Sequence, residues 1–461
     1  MMSSQKRPRS DAPEMSDGDT IAAAASPPGR GAVGIVRVSG PDAPRIAAAI
    51  LGALPEPRAA TLADFLGADG KAIDQGIALY FPAPHSYTGE HVLELQGHGG
   101  SVVVDLLLRR LLELGCRLAR PGEFSERAFL NDKLDLAQAE AVADLIDASS
   151  QAAAKAAMRT LQGEFSARVR ELEAALTELR VYVEAAIDFP DEEIDFLSDA
   201  QLQRRLQQVF ASFDALSVAA RQGVVLREGL KIVLAGKPNV GKSSLMNALA
   251  GDAIAIVTDV PGTTRDVLRA QIRIDGIALN LVDTAGLRTA GDAIELEGIR
   301  RARDEMLRAD HVLYVLDSPA PQADPAALAD VPPGVPVTLV FNKIDLTGGE
   351  PRIDAAADPP RAHVSAATGK GLDLLRAHLK ASAGLADLGA SVFAARRRHL
   401  TALTRAREHV EAASRVLRNE RAFELFAEDL RLAQRSLGEI TGEVGSEDLL
   451  GEIFGSFCIG K

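Results

Sequence analysis

Eight residues between an apolar run and a helix-like run have the types and spacing that hold the phosphates of a nucleotide. They are Gly236 to Ser243, with the sequence GKPNVGKS, and they follow the apolar run Leu230 to Ala235. In this strand–turn–helix context the pattern G-x-x-x-x-G-K-S is specific, because backbone N–H groups and the helix N-terminus surround the phosphates. We expect Lys242 to reach the β- and γ-phosphates and Ser243 to bind Mg²⁺.

The base that would accompany these phosphates is indicated by two later segments. Asn342-Lys343-Ile344-Asp345 follows the apolar run Val337 to Phe341, and Ser365-Ala366 follows His363-Val364. The Asp345 carboxylate can accept two hydrogen bonds from guanine N1–H and N2–H₂, whereas adenine has neither donor there. Ser365 and Ala366 would support the base from the backbone. The sequence therefore predicts GTP.

Two segments lie where a GTPase places its γ-phosphate sensors. Asp283 to Gly286, with the sequence DTAG, follows the apolar run Ile277 to Val282 as a Mg²⁺-linked turn would. Pro261 to Asp266 forms a loop whose Thr264 can complete the Mg²⁺ shell. The predicted GTP-binding residues are Asn239, Val240, Gly241, Lys242, Ser243, Ser244, Thr258, Asp259, Val260, Pro261, Gly262, Thr263, Thr264, Asp283, Thr284, Ala285, Gly286, Asn342, Lys343, Asp345, Ser365 and Ala366.

The means of hydrolysis is less clear from the residues. Ras-like switches place a water-orienting glutamine directly after the DxxG turn, and here that position is Leu287. Asp292, Glu295 and Glu297 follow, and one of them could act as a general base, although a solvated helix face is the favoured interpretation of each. Arg265 and Arg288 could serve as arginine fingers, but neither spacing requires it.

Asn239 offers a second way to stabilise the transition state. Its side-chain oxygen could hold a monovalent cation beside the phosphates, with carbonyl groups from Thr258 to Thr263 closing the cage. A K⁺ ion there would act electrostatically as an arginine finger does. An asparagine that only stabilises the loop is an equally good interpretation of the residues alone.

The composition indicates a multidomain chain. Its 461 residues give a length prior of about three domains. We expect no signal peptide and no apolar run that spans a bilayer, and the only cysteines, Cys116 and Cys458, fit a reducing cytoplasm. The net charge of −13 argues against broad electrostatic capture of nucleic acid. Any RNA contact must use a local basic patch or a partner's surface.

Hydrophobic periodicity predicts a multidomain α/β fold class: an N-terminal α+β domain, a discontinuous all-α helical domain, and an inserted Ras-like P-loop GTPase domain. Two unrelated helical domains flanking the GTPase are the less favoured alternative. Within the GTPase, Asp275-Gly276 indicates a hairpin between two apolar runs. The predicted boundaries are a disordered tail over 1–16, the α+β domain over 17–132, a first helical segment over 133–228, the GTPase over 229–384, and a second helical segment with the C-terminal tail over 385–461.

Short motifs outside the nucleotide loop resemble those of the MnmE (TrmE) family of tRNA modification GTPases, within the TrmE-Era-EngA-like group. The resemblance runs from about Asp17 to Lys461, and Gly31-Ala32 departs from the family's glycine pair. The motifs are PPGRG at Pro27 to Gly31, GIVR at Gly34 to Arg37, SYTGE at Ser86 to Glu90, ELQGHGG at Glu94 to Gly100, RPGEF at Arg120 to Phe124, NDKLDL at Asn131 to Leu136, and FCIGK at Phe457 to Lys461.

The resemblance implies an N-terminal domain that dimerises and binds 5-formyl- or methylene-tetrahydrofolate, and K⁺-stimulated, Mg²⁺-dependent GTP hydrolysis. It favours Glu295 as the catalytic carboxylate, beside Lys242. It implies Ser243 and Thr264 as Mg²⁺ ligands, and Asn239, Thr258, Val260 and Thr263 as K⁺ ligands. It implies Arg37, Glu94, Lys133 and Lys461 as folate contacts, although an ordinary surface or structural role would be favoured for these four on charge alone.

The function that follows from the resemblance is tRNA modification in the cytoplasm, with no membrane involved. A homodimer would act with an FAD-dependent MnmG (GidA)-type partner on tRNA, adding a carboxymethylaminomethyl or aminomethyl group to carbon 5 of the wobble uridine. The alternative is a ribosome-assembly or other RNA-binding GTPase switch without one-carbon chemistry. A self-assembling structural GTPase is a third interpretation, and folate binding separates the first from both others.

Overall fold

The computed structural model describes residues 18–188, 200–250, 269–274, 277–283, 303–319, 331–384, 392–419, 423–444 and 447–460. The chain divides into two compact units, Met1–Ala139 with Gly445–Lys461, and Glu140–Val444. The predicted tail over 1–16 lies outside the described residues. The domain boundaries inferred from the sequence stay predictions.

One mixed sheet forms the centre of the first unit. Its strands are β1 (Ile21–Ala24), β2 (Gly31–Ser39), β3 (Thr61–Leu66), β4 (Ala72–Phe81), β5 (Val92–Gly99) and β6 (Arg117–Leu118). The order is β3-β4-β5-β2-β1-β6, and the pair β1–β6 is parallel while the other pairs are antiparallel. The apolar runs Gly34 to Val38, Gly76 to Tyr80 and Val92 to Leu95 predict three of these strands, and β2, β4 and β5 contain them and are about twice as long.

The two faces of this sheet differ. Val36 and Val38 of β2 and Leu93 and Leu95 of β5 are fully buried in one core with residues of α1 (Ala43–Leu51) and α2 (Ser101–Glu113). Because side chains alternate along a strand, the residues between them point to the opposite face. That face carries apolar side chains that remain in solvent, at Val33, Leu62 and Ile77.

The last described residues of the chain pack within the first unit. Helix α12 (Glu447–Gly455) contacts α3 (Glu123–Leu130), and Ile459 pairs with Pro121. Gly122, at the start of α3, has a φ of 67°, and a Cβ there would lie 2.5 Å from the Phe454 carbonyl oxygen. Only glycine combines this backbone conformation with so close an approach.

A seven-stranded sheet forms the nucleotide-binding part of the second unit. Its strands are β7 (Leu230–Ala235), β8 (Arg269–Ile274), β9 (Ile277–Asp283), β10 (His311–Asp317), β11 (Val337–Asn342), β12 (Arg352–Asp354) and β13 (Arg361–His363), in the order β12-β13-β11-β10-β7-β9-β8. The inner strands are parallel, and β8–β9 and β12–β13 are antiparallel edge pairs. The predicted hairpin is confirmed by the β8–β9 pair, although Asp275 and Gly276 lie outside the described residues. Among the described residues, the helices that accompany this sheet include α8 (Lys242–Ala250) and α9 (Leu372–Ser382).

Helices from both sides of this sheet in the sequence pack together in the second unit. They are α4 (Leu136–Ile146), α5 (Gln151–Leu161), α6 (Glu164–Asp188), α7 (Ala200–Glu228), α10 (Arg397–Asn419) and α11 (Phe423–Thr441). Helix α11 contacts α6 and α10, and α10 contacts α7. The prediction of one discontinuous helical domain with an inserted GTPase is confirmed, and with it the multidomain α/β fold class.

Helix α7 modifies one expectation from the sequence. From Gln201 to Glu228 it is long and apolar enough to cross a membrane, by length and composition alone. Its buried positions recur every three or four residues, which is the pattern of a bundle helix that packs on its neighbours. The buried positions that follow this pattern are Leu202, Leu206, Val209, Phe213, Leu216, Ala220 and Val224, and Gly223 and Leu226 are buried beside them.

The three arginines at the start of α10 are held in ion pairs. Arg396 pairs with Asp144, and Arg398 pairs with Glu140 at 2.8 Å. Arg397 pairs with Glu228 at 2.8 Å. Carboxylates of α4 and α7 therefore neutralise this cluster.

Candidate functional site

The phosphate loop connects β7 to α8. Gly236 has a φ of 134°, and a Cβ there would lie 2.3 Å from the Val315 carbonyl oxygen of β10. Gly241 has a φ of 92°, and its Cβ would lie 2.4 Å from Asn342 Nδ2. Both glycines are therefore required by close approach as well as by backbone conformation. Asn239 also has a positive φ, of 65°, which asparagine tolerates better than most residues.

Lys242 is the first residue of α8 and is buried, with 5% of its surface exposed. Its Nζ donates hydrogen bonds to the carbonyl oxygens of Gly236 at 2.9 Å and Lys237 at 2.8 Å. The loop is thus wrapped around its own ammonium group. This arrangement holds a positive charge at the centre of the loop, where the β- and γ-phosphates of a nucleotide would lie.

The predicted base-binding segments meet the phosphate loop at the carboxyl edge of the sheet. Asn342 Nδ2 donates to the Val240 carbonyl oxygen at 3.0 Å, and Asn342 Oδ1 accepts from the backbone N–H of Ala366 at 2.9 Å. Asn342 is 1% exposed. One buried amide therefore fixes the positions of three predicted contacts: the phosphate loop, the Asn342–Asp345 segment and the Ser365–Ala366 segment.

Asp345 is oriented by the segment that would support the base. Ser365 Oγ donates to Asp345 Oδ1 at 2.5 Å and accepts from the backbone N–H of Thr368 at 3.2 Å. The Asp345 side chain remains in solvent, whereas Ser365 is buried. A carboxylate held in this way presents acceptors to a ligand, as recognition of guanine N1–H and N2–H₂ requires.

Lys343 closes the site on the remaining side. Its Nζ donates to the Asn239 carbonyl oxygen at 2.8 Å and to Asp317 Oδ2 at 2.9 Å. Lys343 has a φ of 65°, an unusual conformation for lysine. The side chain thus connects the phosphate loop to the end of β10.

Several predicted residues lie outside what the structure describes. This group includes the preferred catalytic carboxylate, most of the K⁺ shell and one Mg²⁺ ligand, and for Asp283 only the backbone is described. The predicted residues concerned are Thr258, Asp259, Val260, Pro261, Gly262, Thr263, Thr264, Thr284, Ala285, Gly286, Glu295 and Lys461. Leu287, Asp292, Glu297, Arg265 and Arg288 belong to the same segments.

The described residues of the site fit the two metal ions that the resemblance implies. Ser243 is exposed one residue after Lys242, and its hydroxyl is the hard oxygen ligand that Mg²⁺ prefers. Asn239 is exposed, its carbonyl oxygen is already held by Lys343, and its side-chain amide makes no hydrogen bond to a described residue. An amide oxygen is a suitable K⁺ ligand, so both residues match their predicted roles.

Two of the predicted folate contacts form a pair in the first unit. Arg37 of β2 and Glu94 of β5 are partners across the two strands, and Arg37 Nε donates to Glu94 Oε1 at 2.9 Å. The Arg37 guanidinium carbon lies 5.3 Å from the centre of the Tyr87 ring and 5.7 Å from that of Phe124. Cation–π contact with two rings orients the guanidinium. Lys133 is exposed, after the end of α3.

Phe124 is positioned by a network of charges at the start of α3. Glu123 is 2% exposed and accepts hydrogen bonds from Arg117 and Arg127. Burial alone would raise the pKa of Glu123, but these hydrogen bonds outweigh it and lower the pKa to about 2. Tyr87, the second ring beside Arg37, is tied to the same helix by a 2.8 Å hydrogen bond to Ser125.

A cavity of 640 Å³ opens in the first unit next to the RPGEF and PPGRG segments. Its walls include Pro27 to Gly31, residues of α2, and Ile459. Arg37 and Glu94 are not among the described residues that line it, although Ala23 on its wall is the strand partner of Arg37. The volume is within the range of small-molecule sites. The predicted folate contacts and the cavity are therefore adjacent but distinct.

Three residues that contact predicted site residues were not predicted from the sequence. Asp317 contacts Lys343, and Tyr87 and Phe124 contact Arg37. Asp317 is the last residue of β10, so a polar residue at the end of an apolar strand beside two nucleotide loops was an available signal. Tyr87 and Phe124 lie within the SYTGE and RPGEF motifs, but neither motif indicates that its ring contacts Arg37, because rings in an α+β domain are usually core.

Comparison with known proteins identifies similar sequences and structures. The family model described as "GTP-binding protein TrmE N-terminus" matches residues 20–133, and the one described as "MnmE helical domain" matches residues 136–458. Among solved structures, the G domain of the T. maritima FeoB iron transporter is 31% identical, with 33% of this chain and 98% of that chain covered and a TM-score of 0.27. The FeoB G domain from Methanococcus jannaschii is 25% identical, with coverages of 34% and 97% and a TM-score of 0.26.

The two family models together account for nearly all of the chain outside its N-terminal tail, and the helical-domain model alone spans more than half of it. The N-terminal model covers most of the first unit, and the helical-domain model covers the second unit, including its seven-stranded sheet. The chain belongs to the MnmE/TrmE family of tRNA modification GTPases.

Proposed function

We propose that this protein is a GTP-hydrolysing tRNA modification enzyme that works with an FAD-dependent partner of the MnmG type. Together they add a carboxymethylaminomethyl or aminomethyl group to carbon 5 of the wobble uridine of certain tRNAs, using a one-carbon unit of 5-formyl- or methylene-tetrahydrofolate. The observation that carries the proposal is the Arg37–Glu94 pair, framed by two aromatic rings, in a chain that also brings base-binding and phosphate-binding segments together.

The GTPase half of the proposal rests on the residues around the phosphate loop. Lys242 would neutralise phosphate charge, Ser243 and Thr264 would hold Mg²⁺, and Glu295 would orient or deprotonate the attacking water. Asn239, with Thr258, Val260 and Thr263, would hold K⁺. When bound, K⁺ supplies positive charge beside the phosphates. Leu287, at the position of the water-orienting glutamine of Ras-like switches, has no polar group that could take part.

The one-carbon half rests on charge complementarity in the first unit. A folate carries carboxylates and a pterin with hydrogen-bond donors. Lys133, Lys461 and Arg37 can bind the former, and Glu94 can accept from the latter. The fixed Arg37–Glu94 geometry supports this assignment, because a preorganised pair costs less conformational entropy on binding.

We also propose a homodimer that acts in the cytoplasm. The apolar side chains that stay exposed on one sheet face of the first unit support the dimer, since Val33, Leu62 and Ile77 are 57%, 71% and 41% exposed. Exposed apolar side chains that share one face mark a surface that binds a partner. Replacing Val33 and Ile77 by lysine should convert a dimer to a monomer in sedimentation analysis, and a protein that is monomeric without these changes would refute the proposed dimer.

The experiment that tests the central proposal is equilibrium binding of 5-formyltetrahydrofolate. The unmodified protein should bind, and Arg37→Ala should reduce affinity at least about ten-fold, the cost of losing a charge-assisted hydrogen bond. Lys71→Ala is the control, because Lys71 is an exposed cation of the same unit, 85% accessible. Absence of binding by a folded protein that hydrolyses GTP would favour an RNA-binding or ribosome-assembly GTPase switch instead.

A further inference from the structure

Asp317 lies beside two segments predicted to bind the nucleotide, yet it belongs to none of the predicted motifs. Strand β10 lies between β7 and β11, so its last residue lies next to the loops that follow both strands. Asp317 is directly opposite Asn342 in the β10–β11 register, and Tyr314 is opposite Ala235, the last residue before the phosphate loop. A side chain at this position can contact both loops.

Among the described residues, the Asp317 side chain hydrogen-bonds only Lys343. Oδ2 accepts a hydrogen bond from Lys343 Nζ at 2.9 Å, whereas Oδ1 is buried and has no hydrogen-bond partner among the described residues. The strand end does not need this carboxylate, because the following backbone N–H, that of Ser318, donates to the Asn342 carbonyl oxygen. A buried carboxylate oxygen without a hydrogen-bond partner lowers the stability of the fold. It therefore indicates that Asp317 has a functional role.

Lys343 in turn holds the phosphate loop. The same ammonium group donates to the Asn239 carbonyl oxygen at 2.8 Å. Asn239 and Lys343 both have a φ of 65°, so two unfavourable backbone conformations are joined by this one side chain. A lysine side chain has a flexible stem of four carbons, and it loses much rotamer entropy when its ammonium group is fixed. A second, negatively charged partner keeps it in the bridging position.

We propose that Asp317 is a positioning residue for nucleotide and cation binding, which acts through Lys343 on Asn239. Its carboxylate holds Lys343 Nζ against the phosphate loop, and this fixes the Asn239 backbone. The Asn239 side chain is thereby kept in the orientation that binds K⁺. The inference rests on the proposed function for its cation, but its effect on nucleotide binding stands without K⁺.

The experiment compares Asp317→Ala and Asp317→Asn with the unmodified protein in two measurements. Release of a fluorescent GDP analogue should be about ten-fold faster in Asp317→Ala, and less affected in Asp317→Asn, which keeps an acceptor oxygen without the charge. The K⁺ concentration for half-maximal GTP hydrolysis should rise several-fold in Asp317→Ala, in a KCl series held at constant ionic strength with NaCl. Asp354→Ala is the matched control, an exposed carboxylate of the same sheet.

A double-mutant cycle with Lys343→Met separates positioning from a general structural role. If Asp317 acts through Lys343, Asp317→Ala should add no further change in GDP release to the Lys343→Met protein. Equal effects in the two backgrounds, or unchanged release in Asp317→Ala, would overturn the inference. An unmodified protein that K⁺ does not stimulate would refute the proposed cation site instead, and the GDP release cycle would still decide the role of Asp317.

Discussion

Single atoms decide whether the nucleotide site can form. The Asn342 amide donates to the carbonyl oxygen of Val240, the residue before Gly241, and a Cβ on Gly241 would lie 2.4 Å from the donating nitrogen. The amide and the loop therefore fit together only because position 241 has no side chain. The glycine was predicted from the motif, but its contact with Asn342 joins distant segments of the sequence and had to be seen.

Gly241→Ala should therefore reduce nucleotide affinity. The added methyl group must displace Asn342 or the phosphate loop, and the φ of 92° adds backbone strain. We expect GDP affinity to fall at least about ten-fold, since a buried hydrogen bond is lost. Equilibrium titration with a fluorescent GDP analogue measures this. Gly349→Ala is the control, because its Cβ would meet its neighbours only at 3.4 Å or more. Unchanged affinity in Gly241→Ala would show that the loop adapts.

A buried histidine, His311, makes the stability of the fold depend on pH. His311 of β10 and His378 of α9 both hydrogen-bond Thr338 Oγ1, at 2.8 and 2.9 Å. Burial, with a smaller contribution from His378, lowers the pKa of His311 to about 4. The folded protein thus keeps His311 neutral at pH values where an unfolded chain, with an ordinary histidine pKa of 6.5, takes up a proton.

The stability of the second unit should therefore fall as the pH drops from 6.5 towards 4. The contribution of His311 is fully present above the ordinary histidine pKa, and its loss reaches at most about 3 kcal/mol. Urea unfolding at a series of pH values measures it. His311→Gln should unfold more easily at alkaline pH but lose less stability on acidification, whereas His85→Gln, at an exposed site, should behave as the unmodified protein. An identical acid response in His311→Gln would contradict the assignment.

At the scale of elements, helix α10 is joined to α4 through a buried carboxylate. Glu140 is 1% exposed and accepts hydrogen bonds from Arg398 Nε and Nη2 and from His399 Nε2. The backbone N–H of Arg396 donates to His399 Nδ1, so the ring carries its proton on Nε2. Burial raises the pKa of Glu140, but His399 and Arg398 more than offset it, and the carboxyl group stays ionised.

Glu140→Gln should destabilise the helical bundle by about 3 kcal/mol, the lower end of the range for buried ion pairs, because it leaves the half-buried Arg398 guanidinium without its counter-charge. Chemical denaturation followed by circular dichroism measures the change. Glu411→Gln is the control, since Glu411 forms an exposed pair with Arg407 within one helix, and such pairs contribute about 0.5 kcal/mol or less. A similar small effect in both variants would mean that Glu140 does not hold the two helices together.

The helices and strands themselves were largely predictable, and their connections were not. The run Leu230 to Ala235 is β7 without change, and the helical periodicity of Val102 to Leu114 predicts α2 to within one residue at each end. Such segments are predictable because their hydrophobic periodicity lies within the segment itself. The Glu140–Arg398 pair joins residues 258 positions apart, and no local pattern indicates which arginine meets which carboxylate.

At the scale of the whole molecule, the chain leaves the first unit near Ala139 and returns to it at Gly445. The entire nucleotide-binding unit is thus inserted between two stretches of the other unit. The returning segment is closely packed: Gly460 has a φ of 96°, and a Cβ there would lie 2.1 Å from the Ala24 carbonyl oxygen of β1. Ala24 and Ile459 both line the 640 Å³ cavity, so the two ends of the sequence build one site.

Gly460→Val should therefore impair ligand binding in the first unit and spare the second. The branched side chain cannot approach Ala24, so we expect Ile459 to be displaced from the cavity wall and the contact predicted for Lys461 to be lost. Affinity for 5-formyltetrahydrofolate should fall at least about ten-fold, while GDP binding stays unchanged. Gly455→Val is the matched control at the end of α12, where a Cβ would meet nothing within 4 Å. If both variants bind the folate equally well, the C-terminal segment does not shape the site. If Gly460→Val also loses GDP binding, the two units do not bind their ligands independently.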